Sequence, residues 1–225
     1  MGKKILYGFL IMAALAVSAT PTYFIFKRAG ILQSKTEQEL QACKAALGKY
    51  VQREEKIRDV SSTLIASYGL DSIHAHYYAL IFVDCEQKYG VPWDVVAAIM
   101  RMESNFVSSA KSPMMCKGLM QLKESTMQAM CVKLGIRYKN DITIWDDVAN
   151  IFCGMLYLSE AAKEKGMEDA IKVYVGGMDY ARTMKVRREV FVYVGEYNSS
   201  VSRERERLKL AYQGIRAMRD RKGKE

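Results

Sequence analysis

The chain has 225 residues, half of them apolar, so one domain of ordinary size with a sizeable core and terminal extensions is expected. Its formal charge of +9 suits an anionic partner such as a membrane surface or an acidic wall polymer, although a solvated basic surface is the simplest explanation. No basic motif interleaved with aromatic residues is present, which argues against a nucleic-acid-binding module.

Residues 1–30 have the pattern of a membrane segment. The run Ile5–Phe26 carries no charge, has basic residues on both sides and has aromatic residues near its ends. As a helix, this run would span about 33 Å, which is enough to cross a bilayer. Residues 17–19 resemble the small-x-small cleavage site of a signal peptide, which is the alternative. Because the apolar run continues past them, we predict a retained anchor.

Residues 31–69 are polar and helical in character. Glu54 and Ser61 interrupt an otherwise regular apolar spacing of three and four residues, formed by Leu40, Cys43, Leu47, Tyr50, Ile57 and Leu64. A short coiled coil, a stalk or a helix packed on the next domain would each have this pattern. We interpret the segment as a helical spacer.

A break at Gly69–Ser72 precedes a helix predicted over Ile73–Tyr89, which Gly90 ends. The two histidines of the chain, His74 and His76, lie two residues apart and therefore point to different faces of this helix. Because the sequence offers no third ligand beside them, we predict no metal site.

The stretch Val91–Thr126 contains the candidate catalytic acid. It begins as a helix, in which Asp94 favours the positive end of the helix dipole. Glu103, near the end of this helix, shares a face with the apolar residues Val96 and Ile99. Desolvation on that face would raise the pKa of Glu103 and keep it protonated near neutral pH, as a general acid requires. A helix-terminal glutamate capped by polar neighbours is the alternative.

After Glu103 the chain turns and then enters a second helical pattern. Ser112–Pro113 predict a turn, Gly118–Gln121 have the sequence GLMQ, and the helix that follows is expected to end at Gly135. Residues 136–143 are predicted to form a loop.

Three further motifs follow in the C-terminal half. Residues 149–158 contain the pattern AN-I-xx-G-xx-YL, residues 170–177 have the sequence AIKVYVGG, and a Tyr193–Val194 pair comes later. No alternation of strand period and useful length is present, so a mostly helical fold is predicted.

These motifs resemble those of the soluble lytic transglycosylases, relatives of goose-type lysozyme that cut the glycan strands of peptidoglycan. The resemblance rests on the Glu103–Ser104 pair, the A-x-S-P loop, GLMQ with a threonine five residues on, and the three later motifs. It covers about Ile73–Ser200. It implies a mostly α, lysozyme-like catalytic domain over residues 70–201, preceded by the transmembrane helix and the spacer.

The resemblance also implies the chemistry. Enzymes of this family use one glutamate as acid and then as base. Glu103 would therefore protonate the glycosidic oxygen and then take the proton of the muramic acid C6 hydroxyl, which gives a 1,6-anhydromuramoyl end without water or a cofactor. The residues that the resemblance assigns to substrate binding are Ser112, Met120, Gln121, Asn150, Tyr174 and Tyr193. It puts Gln121 against an N-acetyl group and Tyr174 in a hydrogen bond near the acid. For Asn150, helix packing is an equal alternative.

Four positions depart from the family pattern. Val175 replaces the asparagine of a Tyr-Asn pair, Met115–Cys116 replace Gly-Ala before GLMQ, and Glu124 replaces a proline. Methionine at position 115 would add bulk beside the cleft and is expected to require an ordinary backbone conformation there. Because Glu103 and GLMQ are intact, we still predict an active enzyme.

The C-terminal residues 202–225 are dense in charge and are predicted to form a helix that frays into a solvated tail.

The five cysteines are odd in number and lack C-x-x-C spacing; they are Cys43, Cys85, Cys116, Cys131 and Cys153. An exported domain could pair two of the four within the catalytic region, and buried free thiols are the alternative. The sequence does not decide which two.

The implied substrate predicts a single-pass protein of the inner membrane, with its catalytic domain in the periplasm or otherwise outside the membrane. The expected partners are peptidoglycan strands, the inner membrane through the N-terminal helix, and cell-envelope machinery. Rival functions are a lysozyme-type muramidase, a phage endolysin and a non-catalytic wall-binding scaffold.

Overall fold

The computed structural model describes residues 2–176 and 188–222. The helices in these ranges are α1 (Gly2–Tyr68), α2 (Ser72–Tyr89), α3 (Trp93–Glu103), α4 (Glu124–Leu134), α5 (Asn140–Thr143), α6 (Asp147–Lys165), α7 (Met167–Gly176) and α8 (Arg188–Lys222). Two isolated antiparallel bridges join Lys117 to Lys111 and to Leu122 between α3 and α4. The prediction of a mostly helical fold is confirmed.

The chain divides into two compact units, Met1–Arg53 and Glu54–Glu225. In the first unit, residues 31–52 of α1 are exposed. In the second unit, the end of α1 contributes fully buried side chains, among them Ile57 and Leu64. The apolar spacing that predicted a spacer over residues 31–69 therefore has two parts: its first half is exposed, and its second half belongs to the core.

The predicted membrane anchor requires a correction. In the part of the chain that the structure describes, no helix combines the length and the apolar character needed to cross a membrane. A crossing helix needs about 20 predominantly apolar residues, whereas the predicted run includes Ser18, Thr20, Pro21 and Thr22 in its second half. The prediction of a single-pass inner-membrane protein anchored by residues 1–30 is therefore wrong.

Helix α3 is at the centre of the second unit. Residues 93–100 are all buried, because α2 and α8 both pack against this short helix. Helix α6 packs in turn against α2, α4 and α7, and α7 contacts α8. The C-terminal end of α3, and with it Glu103, emerges from this core.

Within the described residues, the C-terminal segment 202–222 is helical and is packed along one side. Helix α8 runs on through it, and the Leu208 side chain is fully buried. Two buried carboxylates of the same unit have partners on this helix: Arg205 Nε donates to Asp94 Oδ2 at 2.9 Å, and Arg219 Nη1 donates to Asp59 Oδ2 at 2.7 Å. The high charge of the segment thus serves partly to neutralise buried acids, which seldom occur unpaired.

Candidate active site

Glu103 is the last residue of α3 and faces α8. The hydroxyl group of Tyr197 in α8 donates a hydrogen bond to Glu103 Oε1 at 2.7 Å. Burial raises the pKa of Glu103, and the hydrogen bond from Tyr197 opposes this rise without cancelling it. Among the described residues, no second carboxyl group contributes to the shift. The raised pKa favours the protonated form of the Glu103 carboxyl group, which is the form that a general acid needs.

The chain leaves α3 through a tight turn. Ser104 is buried, and both its backbone N–H and its hydroxyl group donate to the carbonyl oxygen of Met100 at 3.1 Å. The next two residues, Asn105 and Phe106, have positive φ angles of 51° and 63°. Ser104 therefore secures the end of the helix that carries Glu103.

The GLMQ turn is attached to α6 by Asn150, which is only 1% exposed. Asn150 Oδ1 accepts from the backbone N–H of Met120 at 2.7 Å, and Nδ2 donates to the carbonyl oxygens of Lys117 and Ile144 at 3.1 and 3.0 Å. Gly118 lies so close that a Cβ atom there would collide with the Asn150 amide. These contacts favour support of the turn over direct contact between Asn150 and a ligand.

The Met120 side chain is fully buried, and a Cβ atom at Gly154 would lie 2.9 Å from Met120 Cε. From α7, the Tyr174 hydroxyl group donates to the Met120 carbonyl oxygen at 2.6 Å. Burial raises the pKa of Tyr174 well above its ordinary value, and the charge of Glu103 raises it further. Tyr174 thus bonds to the turn while lying within electrostatic reach of the acid.

Gln121 connects the turn to the loop before it. Its Nε2 donates to the carbonyl oxygens of Ala110 and Gly118, both at 2.9 Å. The side chain is partly exposed. Since the amide nitrogen is engaged, the amide oxygen is the group left to accept a hydrogen bond from a ligand.

Ser112 closes the loop that precedes GLMQ. Its hydroxyl group accepts from the backbone N–H of Cys116 at 3.1 Å, and its backbone N–H donates to the Cys116 carbonyl oxygen at 2.9 Å. Within this loop, Met115 has a φ angle of 61°. The expectation of an ordinary backbone conformation at position 115 is therefore wrong: the chain keeps the left-handed conformation that a glycine would favour.

Left-handed residues gather around Glu103 and the turn. Within the described ranges, the non-glycine residues with positive φ are Asn105, Phe106, Met115 and Gln121. All four lie between α3 and α4. Such conformations are costly for residues with a Cβ atom, and they cluster at functional sites. The local geometry thus marks the same segment as the motifs do.

A family model described as the transglycosylase SLT domain matches residues 81–216. The chain belongs to this family. The family prediction made from the motifs is confirmed. No curated protein matches the sequence. Among solved structures, the lytic transglycosylase Slt of Pseudomonas aeruginosa, in an inactive mutant form, is 25% identical with a TM-score of 0.49. That match covers 60% of this chain and 24% of the Pseudomonas chain, so this chain spans about a quarter of that enzyme's length.

The tyrosine that meets the acid of the SLT domain is not one that the motifs selected. Tyr193 lies in α8, but its side chain is outside the described residues. Tyr197, one turn later, forms the hydrogen bond to Glu103 and is 6% exposed. Only the packing of α8 on α3 identifies Tyr197.

Two cavities of the SLT domain lie away from Glu103. One, of about 510 Å³, lies between α2, α5 and α6 and has Lys88, Arg137 and Phe152 among its lining residues. The other, of about 310 Å³, lies between α4 and α6 and includes Tyr157. If the presence of a cavity were the only criterion, these two cavities would be the candidate ligand-binding sites. The partly buried carboxyl group with its raised pKa and the left-handed residues of the turn favour the region of Glu103 as the reactive site.

Proposed function

We propose that the chain is a peptidoglycan lytic transglycosylase that cleaves the β-1,4 bond between N-acetylmuramic acid and N-acetylglucosamine. The observation that carries this proposal is Glu103, a partly buried carboxyl group with a raised pKa and a hydrogen bond from Tyr197. Most glycosidases use two carboxyl groups. A single tuned carboxyl group fits a mechanism in which the same residue is first acid and then base.

In the first step, protonated Glu103 gives its proton to the glycosidic oxygen, and the bond from that oxygen to the muramic acid C1 breaks. The departing N-acetylglucosamine keeps the proton as its hydroxyl group. Ionised Glu103, stabilised by the Tyr197 hydroxyl group, then takes the proton of the C6 hydroxyl. The C6 oxygen bonds to C1, which closes a 1,6-anhydro ring without water. Attack from within the same sugar benefits from proximity.

The remaining residues divide into contacts and supports in this proposal. The amide oxygen of Gln121 would accept a hydrogen bond from an N-acetyl group, and Ser112 and Tyr193 remain candidates for substrate contact. Asn150 and Tyr174 would fix the backbone on either side of Met120. This division follows from burial, since a buried amide with all its groups engaged has none to offer a sugar.

Mass spectrometry of purified peptidoglycan treated with the full chain tests the proposal. Anhydromuropeptides are expected. Products that carry an added water would identify a muramidase instead, and an absence of released products would contradict enzymatic function.

Glu103→Gln should lower wall digestion by about 100- to 10,000-fold, because glutamine cannot donate the proton. Glu164→Gln, at an exposed position of α6, is the matched control and should digest at the wild-type rate. Equal rates for wild type and Glu103→Gln would contradict the assignment of the acid and favour a wall-binding scaffold.

A further inference from the structure

Two of the cysteines, one in α4 and one in α6, are in contact in the core. Cys131 of α4 and Cys153 of α6 are both fully buried, and their Sγ atoms are 3.7 Å apart. The other three cysteines differ from this pair: Cys43 is exposed, Cys116 is partly exposed, and Cys85 is buried in α2. All five are free thiols in the structure, and the contact identifies Cys131 and Cys153 as two that lie close enough to be candidates for pairing.

We propose that Cys131 and Cys153 form a disulfide bond when the chain folds under oxidising conditions. The sulfur atoms of a disulfide lie about 2.0 Å apart. The two Sγ atoms, which are 3.7 Å apart here, must therefore move about 1.7 Å closer to each other. Rotation about the Cα–Cβ bonds of two packed helices can supply such a movement. The proposal rests on the proposed function in one respect: peptidoglycan is a polymer outside the cytoplasm, where disulfides persist.

The reaction is an exchange with an external disulfide, either that of a thiol oxidoreductase or oxidised glutathione. One cysteine thiolate attacks this disulfide, forms a mixed disulfide and releases one thiol. The second cysteine thiolate attacks the mixed disulfide, forms the Cys131–Cys153 bond and releases the other thiol. The chain loses two protons and two electrons, and the external disulfide is reduced by the same two electrons.

The bond is expected to form during folding rather than afterwards. In the folded chain, burial and the neighbouring Cys131 raise the pKa of the Cys153 thiol far above its ordinary value, so little of the reactive thiolate is present. Burial likewise raises the pKa of the Cys85 thiol to about 12. Once formed, the bond would be shielded from reductants by the same burial.

The position of the pair gives the bond a role at the site. Cys153 lies one turn after Asn150 on α6, and α4 begins shortly after the GLMQ turn that Asn150 holds. A bond between these helices would fix the distance between the turn and its support. It closes a loop of 22 residues, and a cross-link of that kind restricts the unfolded chain.

The test is a disulfide map of the full chain, refolded either in a glutathione redox buffer or with dithiothreitol. Free thiols are alkylated in denaturant, and the chain is cut with trypsin. Each cysteine then lies on a different peptide, and the two of interest span residues 124–133 and 140–163. The expected result is one cross-linked pair of these two peptides in the oxidised sample alone. Alkylation of both cysteines in that sample, or their pairing with other cysteines, would overturn the proposal.

Thermal unfolding supplies the second measurement. Tm should be several degrees higher for the chain refolded in the redox buffer than for the reduced chain. Cys131→Ala should lose this difference, whereas Cys85→Ala, which also removes a buried thiol, should keep it. If Cys131→Ala does not fold, the map of the wild-type chain decides. A cross-link without wall digestion would contradict only the proposed function, and wall digestion without a cross-link would contradict only this inference.

Discussion

The two sides of the candidate site are built in different ways. Glu103 depends on contacts between the side chains of α3 and α8, which are distant in sequence. The GLMQ turn depends on side chains that bond to its backbone, chiefly from α6 and α7. The acid therefore owes its pKa to the packing of two helices, and the turn owes its shape to hydrogen bonds from side chains to its backbone. Substitutions on the acid side should therefore act through the packing of α3 and α8, and substitutions on the turn side should act through the loss of hydrogen bonds to the turn.

On the acid side, two polar contacts join α3 and α8. Tyr197 meets Glu103 at the C-terminal end of α3, and Arg205 meets Asp94 in the first turn of the same helix. Along α8 the two contacts are about 12 Å apart, and along α3 about 14 Å, at the usual rise of a helix. The helices thus run in opposite directions, and the Arg205 ion pair sets the register that brings Tyr197 to the acid.

Arg205→Ala would test this junction most severely. It leaves the carboxylate of Asp94, which is 4% exposed, without its cationic partner, and should lower the free energy of unfolding by about 3 kcal/mol. Chemical denaturation measures this loss. Arg203→Ala removes an exposed arginine of the same helix that bonds to the nearby Ser200, so it should change stability little. Similar losses in the two variants would contradict the role assigned to the ion pair.

Asn150→Ala would test the turn. It leaves the N–H of Met120 and two carbonyl oxygens without their partners, and the expected loss is about 2 kcal/mol of unfolding free energy. Wall digestion should fall as well, even at temperatures where the variant is folded, because the turn loses its attachment to α6. The matched control is Gln128→Ala, which removes an exposed amide from α4. If the Asn150→Ala variant were destabilised but digested wall at the wild-type rate, the attachment of the turn to α6 would not be needed for activity.

Tyr197→Phe would alter the acid without disturbing the turn. The hydroxyl group lowers the pKa of Glu103, so its removal should raise that pKa further. The basic limb of the kcat/KM profile should move to higher pH. At neutral pH, kcat should fall about tenfold, because a hydrogen bond to a carboxylate contributes about 1.5 kcal/mol. Tyr212→Phe, on the same helix with its ring against Trp93, should leave the profile unchanged.

The same substitution should also change how the free energy of unfolding depends on pH. The pKa of Glu103 is raised on folding, so the folded chain holds this proton more tightly than the unfolded chain does. The resulting stabilisation is present at low pH and is lost as the pH rises through the folded pKa. In Tyr197→Phe, this loss should move to higher pH. Unfolding measured across the acid range would contradict this if the two profiles coincided.

The sequence motifs include more residues of the turn side than of the acid side. GLMQ, Asn150 and Tyr174 belong to short motifs, whose residues are recognisable wherever the helices lie, and the structure brings them together around Met120. Glu103 was selected by its helix face together with the Glu103–Ser104 pair of the family resemblance. Tyr197 was missed because the register between α3 and α8 depends on packing across 94 residues of chain, which no local pattern encodes.

The two ends of the chain illustrate the same limit. The charge of residues 202–222 resembles that of a solvated tail, and only the structure reveals the buried acids Asp59 and Asp94 that this helix neutralises. In α1, one apolar spacing continues from an exposed half into a buried half, so periodicity predicted the helix but not the place where the core begins. Helical period is a local property, and burial depends on what lies opposite.

Met115→Gly is the mildest test of the turn side. Methionine holds a φ angle of 61°, a conformation that costs a residue with a Cβ atom about 1 kcal/mol or more and costs glycine little. Its side chain is exposed, so little packing is lost, and the variant should gain up to about 1 kcal/mol of unfolding free energy, reduced by the greater freedom of glycine in the unfolded chain. Met114→Gly removes the adjacent exposed methionine, which has no left-handed strain to relieve, and should be neutral or slightly destabilising. If the two variants lost stability equally, the left-handed conformation at position 115 would carry no strain, and the turn would accept a methionine there at no cost.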